Sequence, residues 1–172
     1  MSGAVSLNIQ KQSKPFGLMQ NIMEIFSIQK VQKREPVKEI VSWRTRYSIN
    51  IEEIDNQHKE IIGLINNFFD GIFKGISNRE ACYRLEELIQ TSWDHFAFEE
   101  DLMLIHKYPG LLPHKRTHDN FINELNTRKY DMETNRGPIS LNSGDFIRKW
   151  IVNHILSADK SYSMFLRLRE NS

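Results

Sequence analysis

Residues 95–118 read HFAFEEDLMLIHKYPGLLPHKRTH, and they hold four of the chain's six histidines together with three acidic residues. Two pairs inside this stretch, His95/Glu99 and His114/His118, are each spaced by four. Residues four apart lie one above the other on a helix, so each pair can grip a single object. YPGLLP (108–113) separates the pairs and breaks the helix between them. Pro113 suits a helix's first turn, where its missing N–H would be unpaired in any case.

The pattern continues on both sides. A first helix is expected from about Asp55 to Phe73, stopped at Gly75. Its apolar residues Ile61, Ile62, Ile65, Phe69 and Ile72 follow His58 at +3, +4, +7, +11 and +14, which places His58 on the core face. Gly63 is a weak helix residue, and close approach of a neighbouring helix is its expected use. A second helix opens at SNRE (77–80), a capping box of Ser77 and Glu80, and runs to about Lys107. Its inward stripe is Leu85, Leu88, Ser92, His95, Phe96, Glu99 and Met103. The third carries His114, His118, Phe121, Ile122 and Leu125, and ETNRGPIS (133–140) is the next loop. The fourth, about 143–169, turns Ile147, Trp150, Ile151, His154, Ile155, Ala158 and Tyr162 inward. Long amphipathic helices on short connections favour antiparallel neighbours. The expected fold is therefore all-α, an up-down-up-down four-helix bundle with an N-terminal helical or arm-like extension.

Composition agrees with one domain: 172 residues, 40% hydrophobic, 26% charged, net charge +1. No global basic excess points to nucleic acid. One cysteine, Cys82, excludes an internal disulfide and reads as a small buried apolar residue in a reducing compartment. There is no secretory signal and no apolar run approaching the roughly 20 residues of a spanning helix, so a cytoplasmic location is expected.

Each helix thus aims a candidate ligand inward: His58, His95 with Glu99, His114 with His118, and His154 followed by Asp159. Burying five histidines and two carboxylates without a charged partner is costly, and a metal resolves the cost. Seven ligands are too many for one tetrahedral zinc, and thiolates are absent. Lys115 stands where the HExxH protease pattern needs glutamate. The Glu-x-x-His pairs of ferritin-like di-iron proteins do not occur either. What remains is a two-metal site richer in histidine, suited to iron. Asp159 poses a geometric problem, because five residues of ideal helix rotate it about 140° from His154. An i→i+5 widening over Ile155–Asp159 would realign the two.

The motifs IDNQHKE (54–60), HFAFEEDLM (95–103), HKRTH (114–118) and WIVNHILSAD (150–159) resemble those of hemerythrins, bacterial ones in particular, from about Trp43 to the C-terminus. The resemblance implies a non-haem di-iron centre with a bridging oxo or hydroxo group. One iron would take His114, His118 and His154, and the other His58 and His95, with Glu99 and Asp159 bridging. The function it implies is reversible O2 binding for carriage, storage or delivery, and not catalysis. A di-iron enzyme acting on peroxide or nitric oxide, a sensor and an iron-handling protein are the alternatives. Ile61, Phe96, Trp150, Ile151 and Ile155 flank the ligands and are the expected O2 pocket. His106 has no counterpart among the family ligands and is expected on the surface. Trp93 and Asp94, just before His95, are candidates for a supporting role.

Residues 1–42 lie outside the resemblance. Residues 1–46 carry eight Lys/Arg against three Glu, a net of +5. An amphipathic helix within 16–34 would place Met19, Ile22, Met23 and Phe26 on one side. Three readings stand open: packing on the bundle, binding a protein partner or second subunit, and lying on an anionic membrane surface. Packing on the bundle or self-association is preferred. The oligomeric state is not legible.

Overall fold

Helical apolar stripes need a partner face, and here they find one another. The computed structural model describes residues 39–136 and 141–170, all within one compact unit, Val37–Ser172. Among these residues there are helices and no strand. The expected N-terminal helix within 16–34 lies outside them.

Four long rods form the bundle. Helix α1 spans Glu52–Phe73, α2 Asn78–Ile105 and α3 Leu111–Glu133. The fourth rod is composite: α4 at Leu141–His154, a π turn at Ile155–Asp159, and α5 at Lys160–Glu170. Helix α2 packs between α1 and α3, and α4 closes onto α1. The architecture is the up-down-up-down four-helix bundle expected from the sequence.

Local chemistry sets the ends. Glu52, Glu53 and Asp55 place negative charge in the first turn of α1, where the helix dipole favours it. Gly75 closes α1 with φ +72, and the Ile76 N–H reaches Gly71 O at 3.2 Å while the Gly75 N–H reaches Ile72 O at 3.1 Å. This is a Schellman stop, for which glycine is the unstrained choice. Ser77 accepts from the Glu80 N–H at 3.2 Å, as the capping box requires, and the Glu80 carboxylate accepts from Arg84. Pro113 sits at the third position of α3, still within the turn whose amides lack helical partners.

The antiparallel register decides where polar and apolar layers fall. Phe68 and Phe69 late in α1 share a level with Leu85 and Leu88 early in α2, Leu125 late in α3 and Ile147 early in α4; all are buried. The histidines lie early in α1 and α3, and late in α2 and α4. Below them, Ile54, Met103 and Tyr162 are fully buried. A polar layer is therefore enclosed between two apolar ones.

Before α1 the chain forms a strap with a short 3₁₀ turn at Thr45–Tyr47. The Asn66 carboxamide accepts from the Ile40 and Val41 N–H groups at 2.8 and 3.0 Å and donates to Val41 O at 2.8 Å. Asp55 accepts from the Ile49 N–H at 2.8 Å and from the Ser48 hydroxyl. Ser163 donates to Ile49 O at 2.6 Å, which ties the strap to α5. Cys82 is half-buried rather than a core residue, and burial pushes its thiol up.

Gly63 departs from expectation. A Cβ built there meets nothing within 4 Å, so no helix approaches it closely. Its only effect is the backbone freedom it adds to the unfolded chain. Gly63→Ala is expected to stabilise the bundle by about 0.5–1 kcal/mol, seen in denaturant unfolding as a higher midpoint at unchanged slope.

Candidate metal centre

The seven residues singled out in the sequence converge in the enclosed polar layer, and none is more than 6% exposed. They form two donor groups. Glu99, His114, His118 and His154 make one, and His58, His95 and Glu99 the other; within each, the donor atoms lie within 4.8 Å of one another. Glu99 belongs to both, its Oε2 lying 3.5 Å from His118 Nε2, 3.6 Å from His114 Nε2 and 3.7 Å from His95 Nε2. Asp159 spans them as well. Its Oδ2 is 3.3 Å from His58 Nε2, while its Oδ1 is 3.1 Å from His154 Nε2 and 3.4 Å from His114 Nε2.

The π turn puts Asp159 in this place. The Lys160 N–H reaches Ile155 O, an i→i+5 bond, where a regular helix would close i→i+4. The wider turn brings residues five apart onto one face, so the misfit between His154 and Asp159 is absorbed as the sequence anticipates.

Hydrogen bonds on the outer side fix three ring tautomers. His95 Nδ1 lies 2.9 Å from Gln57 Oε1, whose amide nitrogen is occupied by Glu53. His118 Nδ1 lies 3.0 Å from Glu100 Oε1. His154 Nδ1 lies 3.3 Å from the Thr117 hydroxyl, which gives its own proton to His114 O at 2.7 Å and must therefore accept. In each ring Nδ1 carries the proton, and the Nε2 lone pair points inward. The inward Nε2 atoms of His118 and His154 are 2.9 Å apart with no proton between them. His58 Nε2, His95 Nε2, His114 Nε2 and all four oxygens of Glu99 and Asp159 are buried without a hydrogen-bond partner. Lone pairs and carboxylate oxygens converging on two points, with nothing to donate to them, fit a pair of cations.

Electrostatics point the same way. Burial, helped by the neighbouring imidazoles, lowers His95 to about 3 and His114 to about 4. Burial and the His154 and His114 rings also drive His118 down. These rings are neutral at pH 7, which is the ligating form. Burial pushes the Glu99 carboxyl well up, helped by Asp159 and Glu100.

Of the expected pocket residues, Ile61, Ile151 and Ile155 are buried in the apolar core. Phe96 stacks on His118 at 3.8 Å between centroids, and Trp150, only half-buried, stacks on His154 at 4.4 Å. Three expectations need correction. Trp93 is 59% exposed, and Asp94 faces outward to accept from Gln90, so neither supports a ligand. His106 is half-buried rather than superficial: it caps α2, with Nδ1 2.7 Å from Leu102 O and 3.1 Å from the Tyr162 hydroxyl. The contacts to the candidate ligands come instead from Gln57, Glu100 and Thr117, each adjacent in sequence to one of them.

Residues 50–166 match the model of the hemerythrin HHE cation binding domain. The chain is 28% identical over 127 residues to a myohemerythrin of Sipunculus nudus, covering 74% of this chain and 94% of that one. It is 31% identical over 126 residues to a bacteriohemerythrin of Stenotrophomonas maltophilia, covering 72% and 80% respectively. A crystal structure of wild-type hemerythrin superposes with TM-score 0.67 at 27% identity, over 72% of this chain and 95% of that one.

The metal-free cluster has a testable pH signature. The Glu99 carboxyl titrates higher in the folded state than its ordinary 4.5, so above pH 4.5 the folded state holds the extra proton and stability falls as pH rises. His95 and His114 act oppositely: the unfolded state holds more protons below 6.5, so stability is lost as pH falls from 6.5 toward about 4 and about 3. Metal-free Glu99→Gln loses only the first effect. At pH 7 it is expected to unfold at the same denaturant concentration as the parent chain or higher, while its metal uptake is abolished. A lower unfolding midpoint for metal-free Glu99→Gln at pH 7 would count against this account.

Proposed function

The chain belongs to the hemerythrin family, and from that premise we propose that it is a non-haem di-iron protein that binds O2 reversibly, for carriage, storage or delivery. The observation that carries the reading is the pair of donor groups joined by Glu99 and Asp159, whose buried imidazole nitrogens and carboxylate oxygens turn inward without hydrogen-bond partners. His114, His118 and His154 would hold one iron, His58 and His95 the other, and the two carboxylates would be shared. When bound, the iron pair supplies the electrons that reversible O2 uptake requires.

The chain's own residues do the rest. Five imidazoles and two carboxylates are matched in number to two ions, three imidazoles on one side and two on the other. The side with fewer protein donors is the one we assign to O2. Ile61, Phe96, Trp150, Ile151 and Ile155 form the surrounding wall. Their apolar surface excludes water, and a dry surrounding slows the side reactions that would end reversibility. Gln57, Glu100 and Thr117 hold His95, His118 and His154 in the ligating tautomer.

The reading is tested by loading the protein with iron, reducing it, and recording the visible spectrum while O2 is admitted and withdrawn repeatedly. Two irons per chain and an absorption band that appears and disappears with O2 are the expected outcome. Irreversible bleaching with consumption of peroxide would favour an enzyme. Fewer than two irons per chain would sink the reading.

No helix among the described residues is long and apolar enough to cross a membrane. The basic extension, residues 1–42, is assigned here to packing or self-association. Val41 is already buried and bonded to Asn66, so a deletion that spares the strap ends at residue 36. Chains with and without residues 1–36 are expected to co-sediment equally with anionic liposomes. Loss of co-sedimentation on deletion would place the segment on the membrane surface instead.

A further inference from the structure

Of the outer nitrogens of His95, His118 and His154, only that of His118 meets a carboxylate. His95 meets the neutral Gln57 amide and His154 the Thr117 hydroxyl. Glu100 uses one oxygen for this contact, Oε1 at 3.0 Å from His118 Nδ1, and the other for Lys115, Oε2 at 2.8 Å from the ammonium nitrogen. The chain of contacts is therefore ammonium, carboxylate, imidazole, inward lone pair.

Its setting differs from that of the ligands. Glu100 and Lys115 line a solvent-open cleft of about 490 Å³ between α2 and α3, with Trp93 and Ile122 on its walls. The Lys115 side chain is 47% exposed and that of Glu100 17%. A half-exposed ion pair adds little to stability. The hydrogen bond to Glu100 holds the Lys115 ammonium above its usual range, so it stays charged. Its consequence lies inward: a carboxylate on Nδ1–H pulls that proton, enriches the ring in electrons and makes Nε2 a stronger donor. A stronger donor favours the more highly charged state of a bound metal.

We infer that Glu100 and Lys115 are positioning residues that tune the redox balance of the three-histidine side of the centre. Glu100 lowers the potential of the metal held by His118, and Lys115 limits how far. This rests on the di-iron reading above. The reaction concerned is one-electron reduction of ferric to ferrous iron, the electron coming from the titrant. The two substitutions must act with opposite sign. Glu100→Gln removes the negative charge and favours the ferrous form. Lys115→Met removes the positive charge, leaves Glu100 to act undiminished, and favours the ferric form. A structural role for the pair would move both variants in the same direction, because each breaks the same contact.

The experiment is a mediated spectroelectrochemical titration of the full-length, iron-loaded chain and its variants, with iron counted in each. Glu100→Gln is expected to shift the ferric/ferrous equilibrium about tenfold toward ferrous, a one-electron potential about 59 mV more positive. Lys115→Met is expected to shift it the other way, and Glu100→Asp to return toward the parent value. In the zinc-loaded protein, the Nδ1 proton resonance of His118 is expected far downfield and moves upfield in Glu100→Gln. Two irons per chain with unchanged potentials, or shifts of one sign in both charge-removing variants, overturns the inference and leaves the di-iron reading standing. Fewer than two irons in the parent chain overturns both. Should Glu100→Gln fail to fold, the surface substitution Lys115→Met still carries the sign test.

Discussion

Everything in this bundle defers to two carboxylates set among five imidazoles in a space closed to water. Glu99 and Asp159 are fully buried, and no Lys or Arg is paired with either among the described residues. An unpaired buried charge costs several kcal/mol even after relaxation. The protein places the two oxygens of Asp159 toward opposite donor groups and shares Glu99 between them. Two cations would remove the cost, and their binding energy would become folding energy. The surrounding devices serve this arrangement: the π turn that swings Asp159 inward, the apolar layers above and below, and the Schellman stop that ends α1 beside the second donor helix.

Inner and outer nitrogens of the same rings divide the labour. The inner ones are alike, each a lone pair aimed at a shared point. The outer ones differ, meeting an amide, a carboxylate and a hydroxyl. In the di-iron reading the inner set would fix affinity for the two ions, and the outer set the individual character of each. The outer set is also nearer to solvent, so it is where change costs the core least.

Much of this was legible beforehand, for physical reasons. Helical periodicity puts His58, His95, Glu99, His114, His118 and His154 on inward stripes whatever the details of packing, so the candidate ligand set could be read one helix at a time. Asp159 was legible through its misfit, since a residue 140° off the ridge (roughly, for an ideal helix) demands a local widening. The supporting residues were not. Gln57, Glu100 and Thr117 sit beside candidate ligands in sequence, but their contacts all cross between helices, two of them from Gln57 on α1 to His95 on α2 and from Glu100 on α2 to His118 on α3. The third runs from Thr117 on α3 to His154 at the end of α4. Single-helix patterns carry no information about the rotation of one helix against another. The same gap misplaced Trp93 and Asp94 and left His106 outside, where α5 in fact covers it through Tyr162. Gly63 failed differently: a glycine signals freedom at a position without saying whether anything uses it.

The order of the ligands along the chain bears on how the bundle assembles. His95, Glu99, His114 and His118 lie on one hairpin, α2 and α3, with its turn at residues 106–110. Bringing His95 to His118 closes 23 residues, whereas bringing His58 to Asp159 closes 101. By loop-closure scaling the shorter closure is cheaper by roughly 1.3 kcal/mol, and local contacts form early. The α2–α3 hairpin is thus a half-built chelate that can form first, offering four of the seven donors as a template on which α1 and the fourth rod dock.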